Sequence, residues 1–369
     1  MVLERAIGAL SLKPVDKIPL LGLPGGGLVE TYGVNREDNL TAYRFFDVDL
    51  IYVEGIKENV GKGIAKEYCG FFRDFEDSFP ATDIFPVAYR GLKLARTESA
   101  TQLWVIERPF RNYSELVTYL KRDFDPLSWE ERSKRELEDN YAYTYRRMQE
   151  PLKDVTLVAG EIYLTLFTFF IIHLGHKMVL LLLRRNPELF LEAAEKYVEV
   201  SRMHMEAWRN TGIRAFVSHD DIALRDGPMM SPTTFGEYVA PFYREIWRPL
   251  REDGIKILFI SDGSYLQLMD HILAQGAGGF KLNWDARLSR DQIRWLFLKY
   301  GGRQVLSFGP SESVLTWGSM RESEEEAAFL SELAARTPGF FLSNVEGEAN
   351  RVKGFWDVWR ANSTIGSPG

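Results

Sequence analysis

The sequence predicts an α/β fold, a single (β/α)8 TIM-type barrel with a β-hairpin insertion, from the spacing of its short apolar segments. Eight such segments recur along the chain, and polar residues follow most of them: 18–23, 50–53, 155–159, 215–217, 255–260, 279–282, 305–308 and 340–342. They lack polar alternation, which is typical of parallel strands that are buried on both faces. Most of the intervening stretches can hold a helix, and repeated strand–helix units are typical of this barrel.

One part of the chain departs from this strand–helix rhythm. Within residues 71–125, the segments 92–96 and 102–106 flank a short polar stretch and predict the hairpin. An insertion of this kind could form a lid or a contact in a homodimer. We expect one barrel domain at 1–362 and a frayed tail at 363–369.

Two helices outside the apolar segments are also predicted. Residues 128–147 are highly charged, which is typical of a solvated helix. Ser231 precedes Pro232, a combination typical of a helix N-terminus. The apolar residues that follow have helical spacing and predict one buried face: Phe235, Tyr238, Val239, Phe242 and Ile246.

The segment 163–183 is long and apolar enough to suggest a membrane span. It contains His173, His176 and Lys177, which would be costly in lipid, and Gly175 is expected to separate two buried helices instead. The amino terminus lacks a basic region followed by an apolar core, so we expect no signal peptide. The formal net charge of −7 argues against a membrane partner with an anionic surface.

The charge and the cysteine count exclude several classes of protein. The formal net charge of −7 argues against a nucleic-acid partner. The single cysteine, Cys69, excludes an internal disulfide and any zinc site with several cysteines. Both observations fit a cytoplasmic protein whose partner is a small molecule.

Polar residues at the ends of the predicted strands are the candidates for chemistry, because a barrel carries its active site at that face. They are Glu54, Glu161, His219, Asp220, Asp221, Asp262, Asn283 with Asp285, and Asn344 with Glu346. Carboxylates that crowd together need a compensating positive charge. A bound cation, a cationic substrate or protons shared in acid–base chemistry would each supply it.

Each of these acids also has a structural interpretation. Glu161 and Asp262 could cap helices. Asp220 and Asp221 precede a loop, and since adjacent residues point in different directions we expect one of the two to be functional. Lys281 alternates with Asn283, shares its face and could neutralise one of the acids.

His219 is the best candidate for a metal ligand among the five histidines. The other four lie in apolar or helical segments and are expected to be structural: His173, His176, His204 and His271. His219 with Asp220 or Asp221 and with Asp262 could hold zinc or manganese, which accept imidazole and carboxylate ligands. The run around Gly26, Pro24 to Gly27, predicts a mobile loop at the mouth whose backbone could approach a ligand closely.

Several runs of sequence resemble one known family over almost the whole chain. They are Lys-Pro-Val-Asp-Lys-Ile-Pro at 13–19, Gly-Pro-Met-Met-Ser-Pro-Thr-Thr-Phe-Gly-Glu-Tyr-Val-Ala-Pro-Phe-Tyr at 227–243, Gly-Ile-Lys-Ile-Leu-Phe-Ile-Ser-Asp-Gly at 254–263, Leu-Asn-Trp at 282–284 and Phe-Phe-Leu-Ser-Asn-Val-Glu-Gly at 340–347. On these runs the chain resembles the uroporphyrinogen decarboxylase superfamily, which includes tetrapyrrole decarboxylases and methyltransferases with corrinoid or thiol acceptors.

The resemblance also marks where this chain departs from the family. The arginine segment with which the decarboxylases bind and protonate their substrate is replaced by Pro24-Gly25-Gly26-Gly27-Leu28. In this resemblance Glu54 occupies the position of the family's catalytic aspartate after the second strand. Glu346 occupies the position of a histidine near the end of the family's sequence. The His-x-Cys zinc pair of the thiol methyltransferases corresponds to Ile260-Ser261-Asp262, so neither signature motif is present.

The resemblance implies a divergent decarboxylase-type lyase that needs no cofactor and acts on a carboxylated, tetrapyrrole-like small molecule. Glu54 would stabilise charge on the ring or protonate the carbanion, while Asp221 and Asp262 position the substrate. The predicted substrate-binding residues are Gly26, Glu161, Asp220, Asn283, Trp284 and Glu346.

Two alternatives remain open on the sequence. The first is a corrinoid-linked methyltransferase, with a corrinoid protein as partner and a divalent metal such as zinc at His219. Its acidic mouth, with Trp284 and Tyr265, would suit a cationic methyl donor. The second is a barrel that binds a small ligand without catalysis, since a fold does not imply a function.

Overall fold

The computed structural model describes residues 2–34, 39–52, 85–96, 103–283 and 287–365. Eleven strands are found there: β1 (Leu50–Tyr52), β2 (Lys93–Arg96), β3 (Leu103–Glu107), β4 (Leu157–Ile162), β5 (Ala215–His219), β6 (Ala223–Leu224), β7 (Gly227–Pro228), β8 (Lys256–Ser261), β9 (Gly279–Leu282), β10 (Val305–Phe308) and β11 (Phe340–Leu342). Seven of them form one parallel sheet in the order β1-β4-β5-β8-β9-β10-β11. The sheet therefore follows chain order, as expected for successive strand–helix units.

Helices occupy most of the connections between the strands. The α-helices of the described residues are Val2–Leu10, Gly26–Thr31, Asn39–Phe46, Phe85–Ala88, Tyr113–Arg122, Pro126–Trp129, Lys134–Leu152, Phe167–Leu174, His176–Arg185, Pro187–Arg209, Pro232–Thr234, Ala240–Ile246, Arg248–Glu252, Met269–Ala274, Arg290–Tyr300, Glu312–Trp317, Met320–Ala335 and Ala349–Asn362. A 3-10 turn at Leu266–Leu268 and a π-helical segment at Phe235–Val239 complete them. The α/β class predicted from the sequence is confirmed.

The first predicted strand, 18–23, is not formed as a strand. Leu20 makes a parallel bridge to Leu342 of β11, and Leu21 makes one to Leu50 of β1. The Leu21 N–H donates to the Leu342 carbonyl at 2.8 Å, and the Gly22 N–H donates to the Leu50 carbonyl at 2.9 Å. Single residues thus connect the two edge strands of a curled seven-stranded sheet, where the sequence predicted an eighth strand.

Alternation along the strands separates two apolar cores. The apolar side chains inside the curled sheet are small or aliphatic, with one phenylalanine, and include Leu50, Leu157, Ala159, Ala215, Val217, Leu258, Ile260, Val305 and Phe341. The opposite faces of the strands pack against the helices in a much larger core. This pattern explains the absence of polar alternation in the sequence, because both faces of each strand are buried.

The predicted hairpin is present, and each of its two strands begins one residue later than predicted. Strand β2 pairs with β3 in antiparallel register. The charged segment predicted at 128–147 forms the helix Lys134–Leu152, whose start is held by a capping box between Ser133 and Glu136.

The apolar segment 163–183 forms the two predicted helices. Phe167–Leu174 and His176–Arg185 meet at Gly175 with a bend of 111°. Across the described ranges, no single helix is long and apolar enough to cross a membrane, and this bent pair alone passes the same test by length and composition.

The predicted helix after Ser231 begins where expected, but it contains a π-helical segment that the sequence did not predict. The Ser231 side chain accepts a hydrogen bond from the Thr234 N–H, and Pro232 occupies the first turn. The π-helical segment Phe235–Val239 then shifts the helical register, so Tyr243 is fully buried where the regular spacing predicted Phe242.

Candidate active site at the carboxyl ends of the strands

The inward face of several strands ends in a polar residue. On β5, Ala215 and Val217 point into the inner core and His219 is the next residue on that face. On β8, Leu258 and Ile260 are followed in the same way by Asp262. Alternation therefore brings these polar side chains to the mouth of the curled sheet, above the inner apolar core.

His219, Asp221 and Asp262 form the central cluster of the mouth. Each offers a ligand atom, and these atoms lie within 4.8 Å of one another. His219 Nε2 is 3.4 Å from Asp221 Oδ1, and the backbone N–H of Asp262 donates to the same oxygen at 3.0 Å. Three predicted site residues are therefore brought together, and their donor atoms suit a divalent metal ion.

Glu161 lies inside the sheet, next to the imidazole. Its residue belongs to β4, so it does not cap a helix as its alternative interpretation required. Glu161 Oε1 is 3.7 Å from His219 Nδ1, and both side chains are buried. The imidazole of His219 therefore has a carboxylate on each side, from Glu161 at Nδ1 and from Asp221 at Nε2.

Tyr163 is a member of this cluster that the sequence reasoning missed. Its hydroxyl donates to Asp221 Oδ2 at 2.7 Å, and its ring packs edge-on against His219 with centroids 4.5 Å apart. Tyr163 is two residues after Glu161, so the same alternation that selected Asp262 would have selected it.

The charge state of Asp221 follows from these contacts. Burial would raise the pKa of its carboxyl group, but the neighbouring imidazole of His219 and the hydroxyl of Tyr163 act in the opposite direction. The net result is a pKa below the usual value for aspartate. Asp221 is therefore held as a carboxylate, the form that binds a metal ion.

Asp220 points away from the mouth. Its side chain is fully buried and accepts hydrogen bonds from the backbone N–H groups of Phe167 and Thr168, at 2.7 and 2.6 Å, and from the Tyr243 hydroxyl. It caps the N-terminus of the helix Phe167–Leu174, whose own N-cap residue makes no side-chain hydrogen bond. We therefore assign Asp220 a structural role in place of the substrate binding predicted from the sequence.

A second polar group lies on the β9 side of the mouth. Lys281 Nζ donates to Asn283 Oδ1 at 2.6 Å and lies 3.4 Å from Asn344 Oδ1. Asn283 Nδ2 in turn donates to Asp262 Oδ1 at 2.7 Å. One amide thus links the ammonium to the central cluster, and Asn283 takes part in the mouth as predicted.

The other residues predicted for the site lie apart from the central cluster or outside the described residues. Glu346 is exposed beside Gly25, whose N–H donates to the Val345 carbonyl at 2.8 Å. Gly26 begins a helix, Gly26–Thr31, where a mobile loop was predicted. Tyr265 is fully buried and donates to the carbonyl oxygens of Phe259 and Lys281, so it does not line the mouth. Glu54, Trp284 and Asp285 lie outside the described residues.

Two of the other histidines are structural, as expected. His173 is in contact with the Tyr119 hydroxyl and the Ala88 carbonyl, and His204 with the Tyr141 hydroxyl and the Glu130 carboxylate. Both imidazoles are completely buried outside the mouth.

Among solved structures, a methyltransferase from Methanosarcina mazei resembles the chain with a TM-score of 0.61 and 14% sequence identity, over 98% of this chain and 98% of that one. At this identity the likeness concerns the fold. A D-psicose 3-epimerase determined in the presence of D-fructose gives a TM-score of 0.36 and 10% identity, over 66% of this chain and 78% of that one. No protein-family model and no curated protein sequence matches the chain.

Proposed function

We propose that this chain is an enzyme of the uroporphyrinogen decarboxylase superfamily that catalyses methyl transfer at a divalent-metal site in the mouth of its barrel. The observation that carries the proposal is the convergence of His219, Asp221 and Asp262, whose ligand atoms lie within 4.8 Å of one another. The full-length likeness in fold to a methyltransferase supports methyl transfer over the other activities considered. In this proposal Leu20 and Leu21 take the place of the eighth strand.

The donor set fits a divalent ion. One imidazole and two carboxylates suit zinc or manganese, and three protein ligands leave a coordination position for a substrate. Each ligand has a neighbour that orients it: Glu161 faces His219, Tyr163 donates to Asp221 and Asn283 donates to Asp262. Such outer contacts are characteristic of functional metal sites.

Within this site the chain's own residues bind and orient the reacting groups. A bound divalent ion supplies Lewis acidity, which lowers the pKa of a group coordinated to it. Asp221, kept ionised by its contacts, and Asp262 offer the oxygen ligands, while Glu161 and His219 are buried. The carboxylates disfavour a substrate with many negative charges, such as a porphyrinogen.

The decarboxylase hypothesis takes second place. It gives the main role to Glu54, which lies outside the described residues, and its arginine segment is replaced in this chain. The two hypotheses predict different reactions, because a decarboxylase releases CO2 from a carboxylated pyrrole without any partner protein. A barrel that only binds a ligand would show neither reaction.

Metal content tests the site directly. We expect about one zinc or manganese ion per chain in the wild-type protein purified without added metal. His219→Ala and Asp262→Asn should each weaken binding by more than about tenfold, since each removes a ligand. His176→Ala is the matched control, because His176 is exposed on a helix outside the mouth. Wild-type protein that binds no divalent ion would contradict the proposal.

Activity tests the reaction. Cob(I)alamin is offered as methyl acceptor, with methanol, methoxybenzene or trimethylamine as donor, and formation of methylcobalamin is followed. We expect turnover with one of these donors that His219→Ala abolishes and His176→Ala leaves unchanged. CO2 release from a carboxylated pyrrole in the absence of a corrinoid would favour the decarboxylase hypothesis instead.

A further inference from the structure

The segment that follows β4 is hydrogen-bonded to the residues at the end of β5. Two groups of Thr165 donate to the His219 carbonyl, the backbone N–H at 3.3 Å and the hydroxyl at 3.2 Å. Three residues further on, the Thr168 hydroxyl accepts a hydrogen bond from the backbone N–H of Asp221 at 2.5 Å. Each of the two threonines therefore contacts the backbone of a residue that belongs to the metal-ligand cluster.

Asp220 makes the same connection in the reverse direction. The first N–H groups of a helix have no partner within the helix, and the Asp220 carboxylate accepts from two of them, those of Phe167 and Thr168. A threonine hydroxyl can both donate and accept, and that of Thr168 accepts from the residue next to Asp220. Hydrogen bonds in both directions thus hold the start of the helix against the backbone of Asp221.

Thr168 lies in a rigid part of the molecule. The residue is only 2% exposed and belongs to the first turn of the helix Phe167–Leu174. The other end of this helix is also fixed, because Arg108 donates to the carbonyls of Ile172 and His173. A buried group on an element that is anchored at both ends can set the position of a neighbouring ligand.

The position of the Asp221 backbone decides where its carboxylate lies. Its Oδ1 accepts from the Asp262 N–H at 3.0 Å and lies 3.4 Å from His219 Nε2. Its Oδ2 accepts from the Tyr163 hydroxyl at 2.7 Å. One short side chain makes all of these contacts, so a displacement of its backbone would change them together. The hydroxyl of Thr168 is bonded to that backbone directly.

We propose that Thr168 is a positioning residue, whose hydroxyl holds the backbone of Asp221 so that the Asp221 carboxylate faces His219 and the Asp262 N–H. The inference rests on the proposed function, because the carboxylate that is positioned is a ligand of the proposed metal site. In a purely structural role, Thr168 would stabilise the fold and have no effect on the geometry of this carboxylate.

The Asp262 amide reports the position of the Asp221 carboxylate in the metal-free protein. Hydrogen exchange of this N–H, followed by NMR, should be roughly fivefold faster in Thr168→Val than in the wild type, as expected for the weakening of one hydrogen bond. Thr168→Ser keeps the hydroxyl and should exchange as the wild type does. Thr118→Val is the matched control, since the Thr118 hydroxyl donates to the Ser114 carbonyl on an exposed helix.

Metal affinity is the second measurement. We expect Thr168→Val to bind zinc or manganese at least about tenfold more weakly than the wild type, the usual effect of removing an outer contact of a metal site. Thr168→Ser and Thr118→Val should keep the wild-type affinity. Urea unfolding shows whether each variant is folded. Thr168→Ala also lacks the hydroxyl, and it takes the place of the valine variant in both measurements if the latter does not fold.

Three results would overturn the inference: equal exchange of the Asp262 amide in Thr168→Val and the wild type, a serine variant that behaves as the valine variant does, or unchanged metal affinity in Thr168→Val when the wild type binds metal. The two proposals fail separately. Wild-type protein that binds no metal, with an Asp262 amide that still depends on the Thr168 hydroxyl, would refute the metal site and support the positioning of Asp221.

Discussion

Each residue of the mouth is placed by its position along a strand, and its neighbours then decide its chemical state. Tyr163 illustrates both effects. It follows Glu161 on the same face of the β4 segment, and its hydroxyl reaches Asp221. A phenol that donates to a metal-ligating carboxylate fixes the orientation of that carboxylate.

Tyr163→Phe therefore tests the assembly of the site with the loss of a single oxygen atom. The ring and its contact with His219 are retained, while the hydrogen bond to Asp221 is lost. We expect affinity for zinc or manganese to fall roughly 10- to 100-fold. Tyr143→Phe, at an exposed tyrosine that contacts Arg147, should leave the affinity unchanged. Equal affinities in the two variants would remove Tyr163 from the site.

How much of the site the sequence predicts depends on whether strand alternation continues past the strand. The alternation holds for His219 at the end of β5 and continues beyond the strands to Asp221 and Asp262, and these three residues were predicted and lie together. It also separates Asp220 from Asp221 and puts Asp221, two residues after His219, on the inward face, although the sequence analysis left the choice between the two open. The acceptor role of Asn344 toward Lys281 depends on a backbone conformation after β11 that no periodicity encodes.

Among the elements, the strands and the paired helices around Gly175 follow their apolar patterns closely, and two departures have local causes. Leu20 and Leu21 are apolar enough for a strand but only bridge the two edges of the sheet. The helix after Ser231 contains a π-helical segment, which moves Tyr243 onto the buried face. The Tyr243 hydroxyl donates to the carboxylate of Asp220, which caps the helix Phe167–Leu174. The register shift therefore helps to hold this cap in place.

Asp220→Ala tests this cap. It removes the acceptor of two backbone N–H groups and one hydroxyl, all of them buried. Buried donors without an acceptor are costly, and we expect the free energy of unfolding to fall by about 3 kcal/mol. Urea unfolding of the metal-free protein measures the loss, so that any effect on the neighbouring ligands does not enter.

Asp226→Ala is the control for this substitution, because Asp226 lies in an exposed turn between β6 and β7. It should change the stability by less than about 0.5 kcal/mol. If Asp220→Ala were as stable as this control, Asp220 would not be a structural cap, and its predicted role in substrate binding would return.

At the scale of the whole molecule, the segment around the β2–β3 hairpin is joined to the helices that cover the parallel sheet through His173. The imidazole belongs to the helix Phe167–Leu174 but contacts the Ala88 carbonyl and the Tyr119 hydroxyl, which lie on either side of the hairpin in the sequence. Since a carbonyl can only accept, Nδ1 carries the proton and Nε2 accepts from Tyr119. Arg108 adds hydrogen bonds to the Ile172 and His173 carbonyls at the end of the same helix.

This neutral, buried imidazole makes the stability of the molecule depend on pH. Burial lowers the pKa of His173 from 6.5 to about 4 in the folded protein. Between these values the unfolded chain binds more protons than the folded one, so protonation favours unfolding. The contribution of His173 is complete above pH 6.5 and is lost as the pH falls toward 4. The loss amounts to roughly 3 kcal/mol at 1.36 kcal/mol per pKa unit.

The variant His173→Phe isolates this contribution from the other groups that titrate in the same range. The variant should be less stable than the wild type at pH 7, because the Ala88 carbonyl and the Tyr119 hydroxyl lose their partner. The gap should narrow by roughly 3 kcal/mol between pH 7 and pH 4, since phenylalanine does not titrate. Urea unfolding at a series of pH values measures this gap, with His176→Gln as the control at an exposed histidine. A parallel curve for His173→Phe would mean that the pKa of His173 is the same in the folded and unfolded states, so that burial does not keep this imidazole neutral.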